Sequence, residues 1–145
     1  VEPLTGKRLT YASPNRTGVA FAHAVKRIAR RYKGAEKIHL VFDNLSTHSE
    51  KSLTAAFGER EGGRLWRRFE IHRTPIHASW LNAAEMEASI VSRECLGDRR
   101  IGDLKTLRHE VAQWRAHIEK SRRTINWRFT VKDARKTFRY NGIIT

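Results

Sequence analysis

Residues 37–42 (KIHLVF) constrain the fold of this chain more than any other segment. Ile38, Leu40, Val41 and Phe42 make the run mostly apolar, the mark of a strand covered on both faces. The run stops at Asp43-Asn44. A strand of this kind needs helices packed on it, and the sequence supplies them on either side. Residues 13–16 (SPNR) predict a turn. Thr17 can then cap a helix in which Val19, Ala22, Val25, Ile28 and Ala29 form an apolar face. Lys26, Arg27, Arg30, Arg31 and Lys33 crowd its later turns, where positive charge suits the helix dipole, and Gly34 stops it.

The remaining elements follow by the same reasoning. Residues 7–12 (KRLTYA) alternate and predict a short strand. Residues 49–57 predict a helix that stops at Gly58. Residues 60–68 are polar and basic and contain Gly62-Gly63, which predicts a loop or a broken helix. Residues 69–73 (FEIHR) alternate again as a strand, ended by Pro75. From Leu81 a helix carries Ala84, Ala88, Val91 and Cys95 at three- and four-residue spacing, up to Gly97. Residues 101–120 predict another, with Leu104, Leu107, Val111, Trp114 and Ile118 as its stripe. Residues 125–131 (INWRFTV) predict a short strand or extended segment. The order strand, helix, strand, helix, strand, helix, helix is an α/β layout. Trp114, Trp127 and Cys95 are expected in the core.

The 145 residues suit one domain spanning the whole chain. Lys and Arg total 29 against 15 Asp and Glu, a net charge of +14, with a sequence pI near 10.9. Such a balance points to a polyanion, with DNA or RNA as the default partner. A membrane surface fits less well, because no helix is basic on one face and richly apolar on the other. No apolar run is long enough to span a bilayer. The single cysteine, Cys95, excludes an internal disulfide and a cysteine-based zinc site, and fits a reducing, cytoplasmic compartment. Val1-Glu2-Pro3-Leu4 reads like the interior of a longer protein.

Chemistry is concentrated at two places. Asp43 sits at the C-terminal end of the most apolar strand, where ligands gather in open α/β sheets. It and Asn44 could equally cap the next turn. The second place follows residues 69–73, where residues 74–82 (TPIHASWLN) lead into a helix carrying Glu85 and Glu87. Ser79 could cap that helix. The two glutamates lie about 200° apart around it, so at most one faces Asp43, and spacing alone leaves the choice open. Either could instead be a surface acid complementing the helix dipole, and Glu87 could pair locally with Arg93 or its neighbours. Carboxylates on separate elements of a basic chain suggest a hard divalent cation, Mg²⁺ or Mn²⁺, in a two-metal site. Asn44 would orient Asp43 or a bound water. His48 would line the site or cap the helix near Ser49, and His77 would line the site or touch DNA. Trp80 could stack on a base or plug the core. His48, His72 and His77 do not have zinc-site spacing.

Residues 41–48 (VFDNLSTH) resemble the second-acid motif of insertion-sequence transposases related to the Tc-mariner group, the DDE superfamily endonucleases. Residues 74–85 (TPIHASWLNAAE) resemble their third-acid motif, and EPLTGKR, TINWRFT and KDAR resemble other segments. The resemblance implies a ribonuclease H-like fold, a mixed sheet flanked by helices, with Asp43 after the fourth strand. It implies that Glu85, not Glu87, is the metal-binding acid, with Asn82 beside it. It further implies metal-dependent DNA cleavage and joining, a homodimer on paired DNA ends, and a bacterial, nucleoid-associated location. The acids are 42 positions apart, longer than the usual Tc-mariner gap, and residues 60–68 account for the excess. In that pattern the chain starts near the third strand, truncated at its N-terminus. The first catalytic Asp and the first two strands then lie outside it, and little activity is expected of these residues alone. Residues 139–145 depart from the pattern.

Overall fold

A computed structural model describes residues 1–75 and 81–139. Among them the order is α1 (Gly18–Arg31), β1 (Ile38–Phe42), α2 (Glu50–Phe57), α3 (Glu59–Trp66), β2 (Phe69–Arg73), α4 (Ala83–Val91), α5 (Leu104–Ser121) and α6 (Val131–Phe138). A π-helical segment, Ser92–Leu96, extends α4. The architecture is mixed α/β and compatible with a ribonuclease H-like domain.

The sheet is smaller than expected, and in the described residues it is parallel rather than mixed. β1 and β2 pair in parallel, Ile38 opposite Phe69 and Phe42 opposite Arg73. The α2–α3 pair makes the crossover between them. Ile38 and Leu40 pack with the buried set Ala22, Val25, Ala29, Leu53 and Phe69. The other face of β1 is open, with Val41 at 51% exposure. The expectation of a strand covered on both faces is therefore corrected. His39 interrupts the apolar run, and the burial alternates along the strand.

Residues 7–12 belong to no helix or strand and form no ladder among the described residues, which corrects the strand expected there. Side chains hold this segment instead. Arg108 Nε donates to Ala12 O at 3.1 Å, and the Arg27 and Arg108 guanidinium groups lie over the Tyr11 ring. Arg8 is 2% exposed and donates to Gly6 O and Arg123 O as well as to Glu87.

α1 forms where expected: the Thr17 hydroxyl accepts from Ala20 N, and Ala22, Val25 and Ala29 are its buried stripe. Its C-terminal carbonyls, which have no partner within the helix, receive the Arg68 guanidinium. That group reaches Ala29 O at 3.0 Å and Tyr32 O at 2.9 Å. Residues 60–68 are not a loop; most of them belong to α3. Gly62 is buried there, and a Cβ on it would lie 2.7 Å from the Leu53 carbonyl carbon and oxygen. The glycine thus permits close crossing of α2 and α3 rather than breaking a helix.

A second buried cluster, Cys95, Val111, Trp114 and Ile118, joins α5 to the π-helical segment. Trp114 and Cys95 are thus in the core as expected, but Trp127 is 43% exposed. Residues 125–131 pair with no strand among the described residues. The helix that follows, α6, is begun by a reciprocal Thr130–Asp133 capping box.

Candidate active site at the end of strand β1

Phe42 anchors the end of β1 in the core, and Asp43 emerges beside it with its side chain 31% exposed. Asp43 Oδ1 accepts from Leu45 N at 3.2 Å, which turns the chain sharply out of the strand. The same oxygen lies 2.7 Å from His48 Nδ1. That nitrogen has no aligned hydrogen bond, so the contact is one of proximity. The His48 ring is fixed by stacking on Phe21, centroids 4.5 Å apart, and by an edge contact with Phe42. It faces Asp43, and the N-cap of α2 is Ser49, whose side chain makes no cap hydrogen bond. Asp43 Oδ2 has no hydrogen bond or ion pair among the described residues.

The Asn44 side-chain amide bonds to the end of β2 rather than to Asp43. Its Nδ2 donates to Thr74 O at 2.6 Å, and Thr74 N donates to Phe42 O at 3.1 Å. Thr74 is buried, 6% exposed. The end of β2 is therefore tied beside Asp43 at Thr74. Residues 76–80, with His77, Ser79 and Trp80, lie outside the described residues.

Asn82, and not Ser79, is the N-cap of α4: its Oδ1 accepts from Ala84 N at 3.1 Å. Glu85 then falls in the first turn, exposed, and its carboxylate makes no hydrogen bond or ion pair among the described residues. Glu87 faces the other way and is 6% exposed. Arg8 Nε and Nη2 donate to its two oxygens at 2.6 and 2.8 Å. The expectation of a surface acid paired near Arg93 is corrected for Glu87, which is a buried structural group. No hydrogen bond or ion pair joins Glu85 directly to Asp43.

Two features escaped the sequence reading. Arg73, directly opposite Phe42 in the sheet, sends its guanidinium to His48 O at 2.7 Å and over the Phe42 ring, 4.9 Å from its centroid. It thereby braces the loop carrying Asp43 and His48. On the open sheet face, His39, Glu70 and His72 gather their ligand atoms within 4.8 Å of one another. Both features depend on the parallel register of β1 and β2, which the separate segments do not reveal.

Among the described residues Asp43 Oδ2 and the Glu85 carboxylate are each left without a protein partner. Oxygen donors of this kind suit a hard divalent cation that keeps several waters. The described residues form a mixed α/β unit with one acid, Asp43, at a strand end and another, Glu85, in the first turn of a helix. The sequence model of the DDE superfamily endonucleases matches residues 1–108, and the chain belongs to that family. Comparisons with curated proteins and with solved structures returned no match. No helix among the described residues is long and apolar enough to cross a membrane.

Proposed function

We propose that residues 1–145 are part of the catalytic domain of an insertion-sequence transposase related to the Tc-mariner group, with Asp43 and Glu85 as two of its metal-binding acids. The observation that carries this reading is the contrast along α4. Glu87 is committed to Arg8, whereas Glu85 is exposed and unpaired at the start of the helix. The Asn44–Thr74 tie supports it from the other side, because it holds the end of β2 beside Asp43.

In this reading Asp43 and Glu85 hold Mg²⁺ or Mn²⁺. The bound cations would activate a nucleophilic oxygen, from water or a DNA 3′-hydroxyl, and stabilise the leaving oxygen of a phosphodiester. The protein's own work is positional. The Leu45 N–H donates to Asp43 Oδ1, His48, stacked on Phe21, lies against the same oxygen, and Oδ2 is left to the cation. Arg73 fixes the loop between them. Asn82 sets the start of α4 and so the placement of Glu85. His77 would line the same cleft. The surplus of basic residues supplies phosphate contacts, which give affinity and salt dependence rather than sequence specificity. A homodimer on paired DNA ends and a place at the bacterial nucleoid complete the proposal.

DNA-binding titrations test it. Wild type, Asp43→Asn and Glu85→Gln are titrated onto a labelled duplex in Mg²⁺ and in chelator at matched ionic strength. Mg²⁺ tightens binding by wild type and not by either variant, while all three lose affinity steeply as salt rises. An identical Mg²⁺ response in all three removes the assignment of these acids. No Mg²⁺ response at all leaves the second reading, suggested by the net charge of +14, of a domain that only binds DNA.

A further inference from the structure

We propose that His39, Glu70 and His72 form a binding site for a borderline transition-metal ion such as Zn²⁺, distinct from the oxygen-only site of Asp43 and Glu85. The parallel register sets His39 opposite Glu70 and Val41 opposite His72. Glu70 and His72 are two apart on β2, so both stand on the face that β1 gives to His39. That face is the open one: the three side chains are 64%, 52% and 46% exposed. None contributes to either buried cluster.

Their arrangement is convergent rather than scattered. His39 Nδ1 lies 2.9 Å from His72 Nε2, and each of these nitrogens is 3.8 Å from Glu70 Oε1. The rings stack at 15° with centroids 5.2 Å apart. One nitrogen of the close pair must carry a proton and the other a lone pair. If one ring changes tautomer, moving its proton to the far nitrogen, both lone pairs face the same point. Two Zn–N bonds of about 2.0–2.1 Å at a tetrahedral angle place the nitrogens about 3.3 Å apart. The imidazoles therefore need to separate by only a few tenths of an ångström, within the reach of exposed side chains on two paired strands.

The donor types decide the metal. Two imidazoles and one carboxylate suit Zn²⁺, Ni²⁺ or Cu²⁺ and do not suit Mg²⁺, which requires oxygen ligands. Three protein ligands leave the fourth tetrahedral position to water. Because the ligands come from both strands, the ion would clip β1 to β2 and stabilise the folded chain by mass action.

Calorimetric titration of the chelator-stripped chain with Zn²⁺ tests the proposal, using untagged protein and the variants His39→Ala and His72→Ala. The positions are exposed, and circular dichroism verifies that each variant folds. Wild type binds one Zn²⁺ per chain, each variant binds roughly tenfold more weakly or worse, and millimolar Mg²⁺ does not compete. Zn²⁺ raises the melting temperature of wild type and not of the variants, and Asp43→Asn binds it as wild type does. Equal Zn²⁺ affinity in wild type and both histidine variants, no binding by wild type, or displacement by Mg²⁺ overturns the site.

Discussion

Arg8 and Glu87 meet in a two-point ion pair, Nε to Oε2 at 2.6 Å and Nη2 to Oε1 at 2.8 Å, with side chains 2% and 7% exposed. The pair ties the N-terminal segment to α4, and it separates the two acids of that helix by burial, Glu87 paired inside and Glu85 exposed. Removing one member leaves a buried, uncompensated charge. Arg8→Ala is therefore expected to cost about 3–5 kcal/mol. Glu85→Gln, at an exposed unpaired position, is expected to stay within about 0.5 kcal/mol of wild type. Urea unfolding midpoints of the two variants measure the contrast. A Glu85→Gln chain as unstable as Arg8→Ala would contradict the division of roles.

Two adjacent glycines of α3 make a second contrast. A Cβ on Gly62 meets the Leu53 backbone at 2.7 Å, whereas on Gly63 it meets only the Arg67 Nη1 and Glu50 Oε1 side-chain ends, at 3.4 and 3.6 Å. Backbone cannot yield as a side-chain end can. Gly62→Ala is expected to destabilise by about 1–3 kcal/mol. Gly63→Ala is expected to be neutral or to stabilise by up to about 1 kcal/mol through helix propensity. Thermal unfolding of both variants decides it.

The core around α1 should be sensitive to truncation at its centre. Leu53 and Val25 are the largest fully buried side chains. Leu53→Ala is expected to cost about 2–5 kcal/mol, read from the same urea curves. A loss below 1 kcal/mol would mean that the α1–α2–β2 cluster is not the main core of the N-terminal half.

Acid should loosen the starts of α5 and α6. The Thr106 hydroxyl, and then its backbone N–H, hold the Asp103 carboxyl below its ordinary value of 3.8. The Thr130 hydroxyl and backbone N–H do the same for Asp133. A carboxylate with a lowered folded value stabilises above its unfolded value, and that contribution is lost as pH falls through the folded one. The Thr106 and Thr130 amide shifts should follow titrations whose midpoints lie below 3.8. Titration of either carboxyl above 3.8 would contradict these caps.

The legible parts of the fold are those written in local pattern. The apolar run into Asp43, the Thr17 cap with its stripe, and the stripe of α5 each specify an element on their own. What failed depends on partners distant in sequence. Arg8 and Glu87 are 79 positions apart, and nothing near Glu87 announces a buried cation. Gly62-Gly63 reads as a break until α2 is set against it. Residues 7–12 alternate as a strand does, yet are held by side chains rather than by a ladder. The Thr130–Asp133 capping box was a local signal, and it could have revealed α6. At the candidate site, the strand-end position of Asp43 was readable, while the bracing by Arg73 and the Asn44–Thr74 tie required the sheet register.

The central claim is that Asp43 and Glu85 serve one cation-binding site, and paramagnetic NMR tests it most directly. Mn²⁺ is titrated into the labelled chain and amide broadening is followed residue by residue. The account predicts that residues 43–45 and 83–86 broaden together at the same Mn²⁺ concentration, and that Asp43→Asn abolishes the broadening in both. Broadening of the two segments at different concentrations, or an unchanged response of residues 83–86 in Asp43→Asn, would contradict it.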